Sequence, residues 1–259
     1  MKISVITPSF NHGQFLERTI KSVLEQQGSF ELEYIIFDGG STDTTADILK
    51  RYEGRLFYKI ERDKGQVDAI NKGFQRATGD IVGWVNSDDV LLPGALERVA
   101  RAFEADAALQ WMHGRCDIID ENDRVIRKWI SAYKHWCCRR YSYSRLVTVN
   151  FISQMTVFWR RTLFEKIGYL DPELKLAFDY DYWLRLGKVA APKYVQERQA
   201  GFRWYRTSKS GANYSAQFSE DYRVAEKHAP AERMTLFFKR LQTLRIVTVY
   251  KLMALLRLN

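Results

Sequence analysis

Four short apolar runs, each closed by polar or glycine-rich residues and separated from the next by a helix-period segment, constrain this chain more than any other feature. Residues 3–6 (ISVI) are β-branched and stop at Thr7-Pro8. Residues 34–37 (YIIF) stop at Asp38-Gly39-Gly40, residues 56–60 form a third run, and residues 81–85 lead into Asn86-Ser87-Asp88-Asp89. Between the first two runs, Phe15, Leu16, Ile20, Val23 and Leu24 recur at helical spacing. Ser41-Thr42-Asp43 opens a second helix through Tyr52, and a third covers residues 67–77 before Gly79-Asp80. Strand and helix in strict alternation predict an α/β fold with a mostly parallel sheet. Open sheets of this kind bind ligands beyond the carboxyl ends of their strands. Residues 7–11, 38–43, 63–71 and 86–89 are therefore expected to converge on one crevice.

The second half is less regular. Residues 93–105 read as a helix, and two strands are expected to flank the Asp120-Glu121-Asn122-Asp123 turn. Residues 161–168 and 181–186 read as helical pieces. From about residue 231 the chain becomes a basic, apolar helix: Arg233, Lys239, Arg240 and Arg245 alternate with Leu236, Phe237, Phe238, Leu241 and Leu244. That pattern fits a helix lying on an anionic membrane surface, or one packing on its own protein.

Composition bounds the partners. With 46% apolar residues the chain can bury one good core. A net charge of +9 invites an anionic partner: nucleic acid, a membrane surface or a phosphorylated substrate. Cys116, Cys137 and Cys138 show no CxxC spacing, so reduced thiols in the cytosol are expected rather than a zinc site. The first apolar run is short for a signal peptide, and no stretch approaches the ~20 apolar residues that span a bilayer. The expected location is the cytoplasm, peripheral to the inner face of the membrane.

Three segments carry chemistry. In WVNSDDVLLP, closely spaced carboxylates at a strand end repel one another unless a cation intervenes. A divalent ion holding a diphosphate supplies one, since hard cations take oxygen ligands and keep substrate phosphates in their shell; a polar turn capping a helix reads equally well. In FDGGSTD, glycines let backbone approach a ligand, while Ser41 or Asp43 can cap the next helix; a plain strand-to-helix turn reads equally well. In AFDYDYWLRL, Asp179 and Asp181 lie among aromatics, where desolvation raises a carboxyl pKa toward that of a general base; taken alone, the segment reads better as an N-cap followed by an amphipathic helix. The mixed aromatic and basic run at residues 133–145 suits a phosphorylated acceptor, nucleic acid or a solvated loop. No phosphate-binding GxxxxGK[ST] and no GxGxxG after the first strand is present.

Taken in order, TPSFN at Thr7, DGGSTD at Asp38, DKGQVDAINKG at Asp63, NSDD at Asn86 and FDYDYWLRL at Phe178 resemble the family 2 glycosyltransferases, over roughly residues 1–210. The resemblance is to bacterial enzymes that build polysaccharides and lipid-linked glycans. It implies a GT-A fold and an inverting transfer of sugar from a UDP-, GDP- or dTDP-linked donor. The acceptor would be a glycan or lipid-linked hydroxyl. The implied cofactor is a divalent metal, Mn²⁺ or Mg²⁺. The implied organisation is a catalytic unit over 1–230, with a nucleotide half at 1–100 and an acceptor half at 101–230, followed by the helix at 231–259.

The resemblance also implies roles. Thr7, Pro8 and Asn11 would line the nucleotide site, Asp38 would contact the base, and Asp68, Asn71 and Lys72 would lie beside base, ribose and phosphate. The family's usual Asp-Asp-Gly at the second strand is here Asp38-Gly39-Gly40. Its Asp-x-Asp metal motif falls on Asn86, Ser87 and Asp88, so Asp88, with Asp89 beside it, would bind metal and Ser87 would line the nucleotide site. The base falls on Asp179, within a pair whose glutamate is replaced by Phe178. Many relatives carry a histidine near GFRWYRTSKS, where this chain has Tyr205; Arg203 and Lys209 would serve the diphosphate. His113 is expected in the core, and Gln154 falls in a segment that in the family lies near the reaction centre. Two other classes compete: a nucleotidyltransferase on a similar sheet, and a non-catalytic basic module for nucleotides or nucleic acid. The Asp179 segment disfavours the first and the acidic motifs the second, so nucleic acid is not an expected partner.

Overall fold

The computed structural model describes residues 1–209 and 214–255. The four apolar runs form β1 (Lys2–Ser9), β2 (Glu31–Asp38), β3 (Phe57–Ile60) and β4 (Ile81–Trp84). The intervening helices are α1 (Gly13–Leu24), α2 (Thr45–Arg51) and α3 (Gln66–Arg76). All four strands are parallel and lie in the order β3-β2-β1-β4. Gly73 of α3 is what lets that helix approach the sheet: a Cβ there would sit 2.4 Å from a methyl of Ile6.

The sheet continues through the second half with β5 (Val90–Leu91), β6 (Trp111–Ile119), β7 (Val125–Ile126), β8 (Phe158–Arg160) and β9 (Lys193–Arg203). The full order is β3-β2-β1-β4-β8-β6-β9-β5, with β7 on β6. Of these later pairings only β6 with β9 is parallel. The architecture is the mixed, mostly parallel, helix-flanked sheet that the sequence predicted. The remaining helices are α4 (Ala95–Ala105), α5 (Lys128–Arg139), α6 (Tyr143–Thr148), α7 (Leu163–Ile167), α8 (Phe178–Val189), α9 (Tyr214–His228) and α10 (Arg233–Leu255).

Alternation along the strands divides the core between the two faces. Ile3, Val5 and Ile81 face one cluster with α1, α2 and α4. Ile6, Val82 and Trp84 face the other, which holds Trp159, Trp183 and much of α8. Trp84 and Trp183 stack with centroids 5.3 Å apart, and Trp159 meets Trp84 edge-on at 5.8 Å. Such aromatic contacts add directional preference to the burial of large apolar surfaces. They pin α8 to β4, and with it the first turn of α8 to the carboxylate loop at the β4 end.

Helix α10 begins where expected, and its last expected residues, 256–259, lie outside the described ones. It is not segregated into a basic and an apolar side. Leu236 and Lys239 are buried, while Phe237, Phe238, Leu241 and Leu244 are exposed. The Lys239 ammonium sits 4.4 Å from the ring centroid of Tyr180 on α8. The cysteines are all free and buried.

Candidate active site

The β1 and β2 strands end side by side, Ser9 opposite Asp38. Asn11 then turns through φ 52°, a left-handed conformation that asparagine tolerates. Its backbone N–H donates to Ser41 Oγ at 2.7 Å, and its Oδ1 accepts from Thr42 N at 2.8 Å. Asp38 is buried. Its Oδ1 accepts from the N–H groups of Gly40 (3.1 Å) and Ser41 (2.8 Å), and its Oδ2 from Ser41 Oγ (2.6 Å). These contacts fix the shape of the loop. A Cβ at Gly39 would lie 2.7 Å from Asp63 Oδ2, so the glycine admits the Asp63 carboxylate into this corner. Asp43 accepts from Gly13 N (2.8 Å) and Thr45 N (3.0 Å), tying the starts of α1 and α2 together.

Beyond β4 the two aspartates differ. Asp89 is fully buried: Oδ1 accepts from Arg203 N (2.8 Å) and Oδ2 from Asn86 Nδ2 (3.1 Å). Burial, and then the charge of Asp88, push its carboxyl well above the usual range, against the pull of Arg203 and Asn86. Asp88 is half-buried and accepts from the Tyr205 hydroxyl at 3.1 Å. His12, just ahead of α1, reaches the same place. Its Nδ1 is 2.7 Å from Ser87 Oγ and its Nε2 is 3.4 Å from the Tyr205 hydroxyl.

Asp179 stands in the first turn of α8, half-buried. Burial raises its carboxyl to about 6, against the pull of the Tyr180 N–H and of the Lys134 and Lys209 charges. A chain of contacts joins it to the β4 end. The Lys209 ammonium is 5.2 Å from the Phe178 ring centroid and donates to Gln66 Oε1 at 2.9 Å. Gln66 Nε2 in turn donates to Asn86 Oδ1 at 2.9 Å.

Several residues expected at the nucleotide are committed elsewhere. Thr7 is buried with its hydroxyl 3.0 Å from Tyr34 Oη, and Pro8 lies within β1 opposite Phe37. Asn71 exchanges two hydrogen bonds of 3.0 Å with the Leu170 backbone. Lys72 pairs with Glu61 and Asp68, and Asp68 also accepts from Lys64 N. Ser87 is buried against His12. Arg203 departs furthest from expectation. It is fully buried, donating from Nε to Asp88 O (2.7 Å), from Nη1 to Asp120 O (2.6 Å) and from Nη2 to Asp123 Oδ1, with its guanidinium 4.9 Å from the Phe15 centroid. A guanidinium so engaged braces the carboxylate loop from behind instead of reaching a diphosphate. Asp89, with both oxygens used inside the protein, likewise does not fit a metal ligand.

The expected core histidine, His113, is buried, and burial lowers its imidazole to about 3. Gln154 donates to Trp84 O at 2.5 Å, bracing β4. Asp181 is buried against His228 (2.8 Å) and Arg185 (2.9 Å), which leaves Asp179 as the open carboxylate of the pair. Sequence reasoning missed His12, Gln66, Lys134 and Glu220. Glu220 of α9 accepts from Lys175 N, Leu176 N and Ala177 N, immediately ahead of Asp179. Nothing in its local sequence, FSEDYR, marks it as a cap for a distant helix.

A divalent ion fits the donor chemistry at Asp88. Its carboxylate is half-buried with the Tyr205 hydroxyl as its partner, and His12 Nε2 reaches the same hydroxyl. Among the described residues no group of three or more His, Cys, Asp or Glu is placed to hold a metal. Phosphate oxygens and water would have to complete the shell, as they commonly do for hard cations.

The chain is similar to known proteins in sequence and in fold. The family model described as glycosyl transferase family 2 matches residues 4–168. An uncharacterized glycosyltransferase of Nostoc sp. is 39% identical over 130 residues, which are 49% of this chain and 40% of that protein. The chain thus spans less than half of that relative. Residues 1–349 of S. aureus TarS in complex with UDP-GlcNAc superpose with a TM-score of 0.65 at 19% identity, covering 89% of this chain and 67% of that one. A mannosyltransferase from Pyrobaculum calidifontis in complex with GDP-Man and Mn²⁺ gives a TM-score of 0.64 at 16% identity, covering 98% and 80%.

Proposed function

The chain belongs to glycosyl transferase family 2, and we propose that it moves a sugar, with inversion, from a nucleotide donor to a hydroxyl of a glycan or lipid-linked acceptor in cell-surface polysaccharide synthesis. The observation that carries this reading is a half-buried, raised carboxyl facing an acidic loop at the end of the parallel strands. Asp88 is open beside buried Asp89, and Asp179, raised to about 6, stands across the Gln66–Lys209 bridge. A carboxyl raised toward neutrality by burial is suited to take a proton.

Asp179 takes the proton of the acceptor hydroxyl as that oxygen attacks the anomeric carbon. Attack from the face opposite the leaving diphosphate, in one displacement, inverts the centre and needs only this base. Lys134 and Lys209 hold Asp179 ionised near neutral pH. Asp38, Asp63 and the loop closed by Asn11 and Ser41 form the wall for base and ribose. A divalent ion held by Asp88, Mn²⁺ or Mg²⁺, would supply positive charge to the departing diphosphate. Lys209, which donates to Gln66 and whose charge acts on Asp179, is a protein cation on that path.

The acceptor side suits a membrane surface. Trp129, Tyr133 and Trp136 of α5 and Phe237, Phe238 and Leu241 of α10 are exposed, and Tyr133, Trp136, Phe238 and Leu241 line a groove of about 590 Å³. Arg140 and Arg145 stack on Trp136 at 4.9 and 5.3 Å. Aromatics with arginine are what an anionic interface accommodates. No helix among the described residues is long and apolar enough to cross a membrane; the contact in this reading is peripheral, from the cytoplasmic side. Lys134, on the inner side of α5, acts on Asp179, which links this surface to the proposed base.

A thermal-shift series with UDP-, GDP- and dTDP-sugars, each with Mn²⁺ or Mg²⁺, tests the reading. One nucleotide class should raise the melting temperature in the presence of metal. A shift with duplex DNA and none with nucleotides would replace it with the nucleic-acid module.

A further inference from the structure

We propose that His12 is a second protein ligand, beside Asp88, for the divalent ion that accompanies the donor diphosphate. The inference rests on the reading of Asp88 as a metal ligand and adds a residue that reading does not contain.

The backbone of His12 is held from both sides. Asn11 before it is fixed by Ser41 and Thr42, and the N–H of Gly13 after it by Asp43. The His12 carbonyl starts α1 by accepting from Phe15 N and Leu16 N, both at 2.9 Å. Helix initiation therefore uses the backbone of this residue and leaves the imidazole to another task.

The ring is oriented as ligating histidines are. A metal-bound imidazole typically donates its other N–H to a fixed acceptor. Ser87 Oγ, buried and 2.7 Å from Nδ1, can serve as that acceptor. With Nδ1–H donated there, the Nε2 lone pair points to the Tyr205 hydroxyl, where Asp88 Oδ2 also points.

With Nδ1–H given to Ser87, the proton count at that hydroxyl is short by one. Tyr205 has a single O–H proton. Asp88 Oδ2 at 3.1 Å and His12 Nε2 at 3.4 Å both face it, and both distances exceed the usual ~2.7–2.8 Å for a hydroxyl donor. Two lone pairs sharing one proton at long range make a poor hydrogen-bond network. A carboxylate oxygen and an imidazole nitrogen converging on one point make a good cation site, with phosphate and water filling the rest of the shell. The donor set also predicts a preference. Imidazole suits transition ions, whereas Mg²⁺ favours an all-oxygen shell, so His12 should bias the site toward Mn²⁺.

The test measures Mn²⁺ and Mg²⁺ binding to the full chain, by titration calorimetry and by the electron paramagnetic resonance signal of free Mn²⁺. Each is run alone and with UDP or GDP. The proteins are wild type, His12→Ala, Asp88→Ala and Tyr205→Phe, each checked for folding by its melting curve. His12→Ala should weaken Mn²⁺ about tenfold or more while changing Mg²⁺ by less than about threefold. Tyr205→Phe should keep Mn²⁺ affinity. If Asp88→Ala loses Mn²⁺ and His12→Ala does not, His12 is no ligand and the Asp88 reading stands. If neither variant changes metal binding, the Asp88 reading fails as well.

Discussion

Glu220 Oε2 accepts hydrogen bonds from the backbone N–H groups of Leu176 (2.6 Å) and Ala177 (2.7 Å), so a carboxylate on α9 caps the helix that presents Asp179. The helix has no capping side chain of its own. Replacing Glu220 by Ala leaves three N–H groups without this acceptor. The expected result is a loss of about 1–3 kcal/mol in stability and a fall in kcat larger than any change in donor affinity. Glu220→Gln, which keeps one acceptor oxygen, should recover part of both. Denaturant melts and steady-state kinetics on the two variants check this, and unchanged kcat in Glu220→Ala would contradict it.

The raised carboxyl of Asp179 sets a pH dependence. A base works ionised, so kcat should rise through pH about 6 and level off above it. The same shift has the opposite sign for stability. A carboxyl whose folded pKa lies above its unfolded value of 3.8 costs stability progressively as pH rises from there through about 6. Asp179→Asn should therefore be more stable than wild type at pH 8, with the difference fading toward pH 4. Melting temperatures across that range give the answer; a mutant less stable at pH 8 would contradict it.

Arg203 separates a structural from a phosphate-binding role. As a buried guanidinium bound to Asp88 O, Asp120 O and Asp123, its replacement by Met should cost about 3–5 kcal/mol, as the breaking of buried charged contacts does. A diphosphate ligand would behave differently: Arg203→Met would fold with normal stability and lose nucleotide affinity. Urea denaturation beside nucleotide titration distinguishes them.

The aromatic and basic surface of α5 and α10 predicts binding to anionic phosphatidylglycerol vesicles that weakens with salt, at about 1 kcal/mol per basic residue near the leaflet. Trp129→Ala with Trp136→Ala should reduce flotation while leaving the nucleotide-induced melting shift intact. Equal binding to purely zwitterionic vesicles, or no binding at all, would contradict the membrane contact.

The first four strands and three helices were legible because their signals are local: β-branched runs, helical spacing and polar stops. The start of α8 was not. Its helix was expected from Asp181 but begins at Phe178, because its cap comes from Glu220, 43 residues beyond Ala177. Arg203 was legible as a cation near the site but not as a buried brace, since its acceptors belong to the distant Asp88 and Asp120 backbones. Lys239 read as part of a basic surface; it is buried over Tyr180, because α10 packs on α8 as well as facing outward. His12 carried no local mark at all: its ring partners, Ser87 and Tyr205, are 75 and 193 residues away. Local chemistry was readable along the chain, and convergence from distant elements was not.

Sugar transfer by this chain turns on Asp179 as the base. The sharpest measurement is release of nucleoside diphosphate from the donor that stabilises the protein, by wild type and Asp179→Asn at pH 8, with the Kd of the same nucleotide measured on both. The expected result is a loss of about 10² to 10⁴ in turnover for the variant, with Kd changed by less than about threefold. Near wild-type turnover in a folded Asp179→Asn protein would contradict the assignment of the base.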